Sequence, residues 1–176
     1  MENIAYLHIV FHGFYAHSRG VLQLPPTTMK KYLINVTIIS VILILLDRLT
    51  KYFAQKYIEN YEIIGGIFSL EYAENKGIAF GIEMPQFLLV IVSIIIVPII
   101  FFTIYKELSL DHRITKISSA LIIGGALGNV IDRILNGFVI DFISIWKWPN
   151  FNIADTFIVV GILLIICFYG RIKKIN

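Results

Sequence analysis

Charge is scarce in this sequence. Asp, Glu, Lys and Arg together make up 15% of its 176 residues, against about 25% in an ordinary soluble domain. Apolar residues take their place at 57%, and mean hydropathy is +0.79. A chain this short leaves too much surface outside its core to hide that excess from water. An ordinary soluble enzyme and a disordered protein are therefore excluded. A single cysteine, Cys167, excludes a disulfide scaffold. The net charge of +3 marks basic residues at membrane edges and leaves no nucleic-acid-binding face. Internal repeats and low-complexity tracts are absent. So are the H-E-x-x-H zinc signature, the G-x-S-x-G elbow and a Gly-rich phosphate loop. His8 and His12 are spaced i, i+4 but lie in the N-terminal leader, away from every other candidate.

What the chain does have is long apolar runs. A helix that crosses the hydrocarbon needs about 20 mostly apolar residues. Four segments meet or approach this: 32–53, 87–105, 117–135 and 153–169. The second contains Pro98, which membrane helices accept where neighbours cover the freed carbonyl. The expected fold is an all-α membrane protein of four transmembrane helices. Residues 1–28 end in Pro25-Pro26 and do not fit this plan, whereas Met29-Lys30-Lys31 reads as a natural start. They are expected to be an N-terminal extension, with 29–176 forming one domain.

Basic residues set the orientation. Lys30 and Lys31 precede the first span, Lys106, Arg113 and Lys116 separate the second from the third, and Arg171, Lys173 and Lys174 follow the fourth. Placing these on the cytoplasmic side puts both termini there. The loop 52–85 then lies outside, where its two lysines and five glutamates leave a net of −3. Within it, Phe68, Leu70 and Tyr72 alternate with Ser69, Glu71 and Ala73, and Gly65-Gly66 suits a hairpin turn. A small extracytoplasmic β-sheet is expected.

Followed through the membrane, the polar residues converge. Asp47, Lys51, Asn129, Asp132, Arg133, Asp141 and Asp155 all reach the outer face. Ionisable residues near hydrocarbon cost about 2.5–3.5 kcal/mol each on insertion scales, so they are functional candidates by default. Asp141 and Asp155 are flanked by apolar residues. Desolvation raises a carboxyl pKa and a second carboxylate raises it further, which is what a dyad sharing one proton requires. Asp155 equally suits a helix cap. Asp47 and Lys51, spaced i, i+4, also read as a structural ion pair. The cation next to Asp132 in sequence, Arg133, is expected to keep it ionised. Asn129 and Arg133 share a helix face and suit hydrogen bonds to substrate carbonyls. Gly124 and Gly128 form a small-xxx-small pattern for close helix packing.

These motifs resemble one family, the bacterial lipoprotein signal peptidases or signal peptidase II. The resemblance rests on five blocks in order: Asp47-Arg48-Leu49-Thr50-Lys51; Asn75-Lys76-Gly77-Ile78-Ala79-Phe80-Gly81; Gly124-Gly125-Ala126-Leu127-Gly128-Asn129-Val130-Ile131-Asp132-Arg133; Val139-Ile140-Asp141-Phe142; and Phe151-Asn152-Ile153-Ala154-Asp155. Arg48 departs from the family, which often has Gln there. The resemblance implies a membrane aspartic endopeptidase that removes signal peptides from prolipoproteins just before a diacylglyceryl-modified cysteine. It implies Asp141 and Asp155 as catalytic, and Asn75, Gly77, Gly125, Asn129, Arg133, Asn152 and Ala154 as lining the site. Asp47 and Lys51 become a supporting polar pair. No metal or cofactor is expected. The partners are the prolipoprotein substrates and the bilayer, the protein is expected to be a monomer, and the location is the bacterial cytoplasmic membrane with the site on its outer face. The alternative is a small proton-coupled transporter or channel subunit. Its relay would need polar residues through the full depth of the membrane, and the second span is almost entirely apolar.

Overall fold

The structure is a computed structural model that describes residues 26–77 and 84–174. Among the described residues, four helices follow one another as α1 (Pro26–Tyr57), α2 (Gln86–Glu107), α3 (Arg113–Asn136) and α4 (Ile153–Ile172). Strands β1 (Asn60–Ile64) and β2 (Phe68–Asn75) lie between α1 and α2, and β3 (Val139–Ile145) lies between α3 and α4. All four helices are long and apolar enough to cross a membrane. Each runs past its expected span at one end or both. The 32 residues of α1 cover about 48 Å at 1.5 Å per residue, against about 30 Å of hydrocarbon. Its lysine-bearing ends therefore project beyond the apolar layer. Of the expected leader, residues 26–28 belong to α1, and 1–25 lie outside the described residues.

Local chemistry fixes the helix ends. The His112 imidazole accepts the Ile114 N–H to open α3. Gly137 closes the same helix with φ +76, returning its N–H to Arg133 O, a left-handed conformation that favours glycine. A capping box opens α4: the Asn152 side chain accepts the Asp155 N–H while the Asp155 carboxylate accepts the Asn152 N–H.

Helix α3 is the hub and packs against α4, α1 and α2. In its most apolar stretch 56% of the residues are buried, against 11% to 17% in the other three, so those helices turn most of their surface outward. The expected glycine stripe makes this possible. A Cβ on Gly125 would stand 2.4 Å from the Ala154 carbonyl oxygen of α4, and one on Gly128 would stand 2.7 Å from an Asp47 carboxylate oxygen of α1. At Gly124 the fit is looser, with a Cβ standing 3.3 Å from the Ser40 backbone of α1.

The two ends of the bundle differ. At one end, Tyr32, Val36, Ile104, Tyr105, Leu108, Leu110, Ala120 and Ile172 form an apolar cluster. Here the end of α2 meets the end of α4 through a Leu108–Lys173 bridge. At the other end sit the buried Asp47, Lys51, Asn129, Asp132, Asp141 and Asn152, beneath the sheet.

The sheet is antiparallel in the order β1-β2-β3. The expected turn at Gly65-Gly66 is present, with Gly66 at φ +65 and the Ile67 N–H donating to Ile64 O at 2.8 Å. Strand β3 was not expected, since 139–145 read as a short connection. The expected alternation on β2 is blurred. A register shift between Leu70 and Ala73 interrupts it, and Phe68, Ser69 and Leu70 are all half-buried. The register places Ala73 opposite Asp141 and Asn75 opposite Val139, so Asn75 is the diagonal neighbour of Asp141 on one face.

Candidate active site

Asp141 comes from the sheet and Asp155 from the first turn of α4. One residue touches both. Asn152 Nδ2 donates to Asp141 Oδ1 at 2.7 Å, and the Asn152 backbone N–H donates to Asp155 Oδ2 at 3.1 Å. A second amide completes each carboxylate. Asn75 Nδ2 donates to Asp141 Oδ2 at 2.9 Å, and Asn129 Nδ2 donates to Asp155 Oδ1 at 2.8 Å. Asn75 is itself oriented by the Gly77 N–H, which donates to its Oδ1 at 3.0 Å. Two acids from separate elements are thus joined through one shared residue, by its side chain to Asp141 and its backbone to Asp155, and each is flanked by a further amide. The Asp141 carboxyl is pushed up to about 6, with burial raising it most, the hydrogen bond from Asn75 opposing that, and the negative Asp155 adding to it.

Beneath the acids lies a charged layer. Lys51 Nζ donates to Asp47 Oδ2 at 2.8 Å and to Asn129 Oδ1 at 3.0 Å, and pairs with Asp132 Oδ2 at 2.8 Å. Lys51, Asp47 and Asp132 are fully buried. Such charges are tolerated only when paired and hydrogen-bonded. The layer meets this: Asp47 Oδ1 accepts the Ala154 N–H, Asp132 Oδ2 accepts the Ile140 N–H, and Arg48 pairs with Asp132 Oδ1. Two carboxylates therefore meet two cations. The ammonium also settles the orientation of Asn129, because its oxygen faces Lys51 and Asn152 and its amide nitrogen must face Asp155.

Two expectations change. Asp132 pairs with Arg48 and Lys51 rather than with its sequence neighbour, because adjacent residues on a helix do not face each other. The Arg133 guanidinium instead feels Asp155 and Asp141 ahead of Asp132. Asn129 is engaged by Lys51, Asn152 and Asp155, so it braces an acid and is not set out as a clamp for substrate carbonyls. The Arg133 Nε is buried without a hydrogen-bond partner among the described residues. Asp155 is a member of the capping box, as expected, and its other carboxylate oxygen accepts from Asn129 Nδ2. Gly125 and Ala154 mark the point where α3 and α4 touch. Ile78, Ala79, Phe80 and Gly81 of the second motif block lie outside the described residues.

Arg48 and β3 were missed as parts of the site. Arg48 stands three residues before Lys51, on the same helix face, which was a usable signal. The run Val139-Ile140-Asp141-Phe142-Ile143-Ser144-Ile145 is short and apolar, consistent with a half-buried strand.

A four-helix membrane bundle, capped by a small sheet and holding an acid–amide network at one end, is the scaffold of a multi-pass membrane enzyme. Residues 39–170 match the family model described as Signal peptidase (SPase) II. The chain is 37% identical over 146 residues to the Lipoprotein signal peptidase of Halothermothrix orenii, spanning 80% of this chain and 99% of that one. It is 45% identical over 123 residues to that of Caldicellulosiruptor bescii, spanning 68% and 80%. A solved structure, described as a bacterial membrane enzyme determined by the in meso method at 1.9 Å resolution, superposes with TM-score 0.67 at 30% identity over 77% of this chain and 92% of that one. This chain belongs to the signal peptidase II family. It is a multi-pass membrane peptidase acting on signal peptides, and the transporter or channel alternative finds no support in these relatives.

Proposed function

We propose that this peptidase is of the aspartic type, with Asp141 and Asp155 as its catalytic dyad, and that it cleaves prolipoproteins just before a diacylglyceryl-modified cysteine. The observation that carries the reading is Asn152, hydrogen-bonded to both acids. The lipoprotein substrate is supported by the names of the relatives. A water held between the acids is deprotonated by the ionised carboxylate. The protonated one donates to the scissile carbonyl oxygen, a tetrahedral diol forms, and a proton passes to the leaving amine. Asp141, pushed up to about 6, is suited to carry the shared proton. A substrate carbonyl is assigned in this reading to Arg133, whose Nε is buried without a hydrogen-bond partner among the described residues. Lipid-facing helix surfaces suit a substrate whose signal helix and acyl chains stay in the bilayer. The reaction as proposed uses only the two acids and a water.

The site is assigned to the extracytoplasmic face. Support comes from the other end of the bundle, where Lys30, Lys31, Lys106, Arg113, Lys116, Arg171, Lys173 and Lys174 gather. They flank the start of α1, the end of α2, the start of α3 and the end of α4, and such residues stay cytoplasmic.

Asp141→Asn and Asp155→Asn are each expected to give a folded, inserted protein that leaves a lipidated precursor uncut, read by mobility shift on gels. Normal cleavage by either variant would overturn the dyad. The pH profile tests the proton assignment. With Asp141 as the acid, kcat/KM falls as pH rises through its pKa, because the ionised form cannot donate. Asn75→Ala removes a donor that favours the ionised form. Its residual activity should therefore extend to higher pH. A shift to lower pH would give the proton to Asp155.

A further inference from the structure

Both tryptophans of the chain, Trp146 and Trp148, lie on the loop between β3 and α4. They are 71% and 65% exposed, unusual for side chains of this size. The loop is held firmly all the same. Ile143 and Phe151 exchange two backbone hydrogen bonds of 2.9 and 3.0 Å at its base. Near the tip, the Trp146 N–H donates to Ile67 O at 2.7 Å and the Trp148 N–H to Ile145 O at 2.9 Å. Trp146 has φ +49, the only positive φ at a non-glycine residue among those described. That conformation is rare for a bulky side chain and persists only where the surroundings over-determine it. Lys147 stands between the two, its ammonium 5.3 Å from the Trp146 ring centre. Exposed Ile64, Ile67 and Ile145 extend the apolar surface.

The position of the loop identifies what covers it. It runs directly into α4, a helix that can cross the membrane. Trp148 is five residues before Ile153, at most about 18 Å along an extended chain. At the same end of the bundle, α1 closes with exposed Tyr52, Phe53 and Tyr57. Lys56 lies over two of those rings, at 5.8 Å and 5.2 Å. Helix α2 opens there with exposed Phe87. Aromatic rings with interleaved lysines are the side chains that settle at a membrane–water interface. An indole brings a flat apolar body and one polar edge, and a lysine stem can lie along apolar surface while its ammonium reaches a lipid phosphate.

We propose that the Trp146–Lys147–Trp148 tip is a preformed membrane-docking wedge. It enters the headgroup–acyl boundary of the leaflet at the sheet end, with Lys147 against a phospholipid phosphate. Because the tip is already ordered, docking pays little conformational entropy. The wedge also fixes the height of β3, and with it Asp141, above the hydrocarbon; this consequence rests on the dyad reading, whereas the docking does not.

The chain contains no other tryptophan, so emission excited at the red edge of the indole band, where tyrosine does not absorb, reports on this loop alone. The full-length protein is reconstituted in phosphatidylcholine–phosphatidylglycerol vesicles whose acyl chains carry bromine at shallow or deep positions. Shallow bromines are expected to remove most of the emission, deep bromines less, and aqueous iodide little. Trp146→Phe and Trp148→Phe then assign the quenching to each ring. Emission quenched by iodide and untouched by bromolipid overturns the proposal. So does bromolipid quenching that appears only when the protein is diluted, since a second copy then covered the tip. Loss of the quenching when a lipidated precursor peptide is added also overturns it, because the tip is then a substrate seat. None of these readouts uses cleavage, so the docking and the dyad can fail separately.

Discussion

The same bundle solves the problem of a buried interior in opposite ways at its two ends. At the end away from the sheet, the interior is apolar with a few neutral hydroxyls. Tyr32 Oη donates to Ser119 Oγ at 2.8 Å, Ser119 Oγ donates to Thr115 O at 2.7 Å, and Leu108, Leu110 and Ile172 fill the rest. At the sheet end, full charges are buried and joined by amides. The first end needs volume and shape, and its parts can be exchanged for others of similar size. The second needs every partner, because removing one strands another in low dielectric. That end carries the acids, so the stringency falls where chemistry needs fixed geometry.

Replacing Lys51 gives the largest expected contrast. Lys51→Met leaves Asp47 unpaired and Asp132 with Arg48 alone, and truncating one partner of a buried pair costs about 3–5 kcal/mol. A large drop in thermal midpoint in detergent is expected, with loss of cleavage. The double variant Asp47→Asn/Lys51→Met separates stability from positioning. Removing both charges should restore much of the stability, since a neutral pair of similar shape carries no stranded charge. Cleavage should stay low, because Asn129 has lost the charged one of the two donors that turn its amide toward Asp155. Full activity in the double variant would show that Lys51 serves the fold alone.

That experiment turns on what the sequence shows and what it leaves out. The spans, the convergence of Asp47, Asn129, Asp141 and Asp155 on one face, and the α3 glycines all follow from linear patterns, because hydropathy and small-residue spacing are local. The choice of partners is not local. Nothing linear tells Asp132 to reach Arg48 and Lys51 on another helix instead of the cation beside it. Asn152 shows the same limit. Its place before α4 marks it as a cap, but its bond to Asp141 depends on β3 pairing with a strand from the far side of α2 and α3. Seven residues of mixed burial give too weak a period to announce that pairing.

Packing at the sheet end offers a second, smaller test. Gly125→Ala would put a methyl 2.4 Å from a backbone oxygen, which neither helix can yield without moving. Overpacking typically costs about 1–3 kcal/mol. Moving α4 also displaces Asn152 and Asp155, so activity should fall further than stability. Gly170→Ala, where a Cβ meets nothing within 4 Å, is the control and should change the thermal midpoint little. If Gly125→Ala kept full activity, the close contact of α3 and α4 would not be what holds the acids.

The smallest effect lies at the apolar end. Tyr32→Phe keeps the ring against Phe101 and removes only the hydroxyl. Ser119 Oγ still donates to Thr115 O, so no buried donor is stranded, and the loss should be near the net value of one neutral hydrogen bond, about 0.5–1.5 kcal/mol. The thermal midpoint should drop slightly while cleavage of a lipidated precursor stays unchanged. This is the sharpest check on the contrast between the two ends. Tyr32 sits on the same helix as Asp47 and Lys51, so a change in rate would mean that α1 transmits small shifts along its length, and that the apolar end takes part in setting the acids.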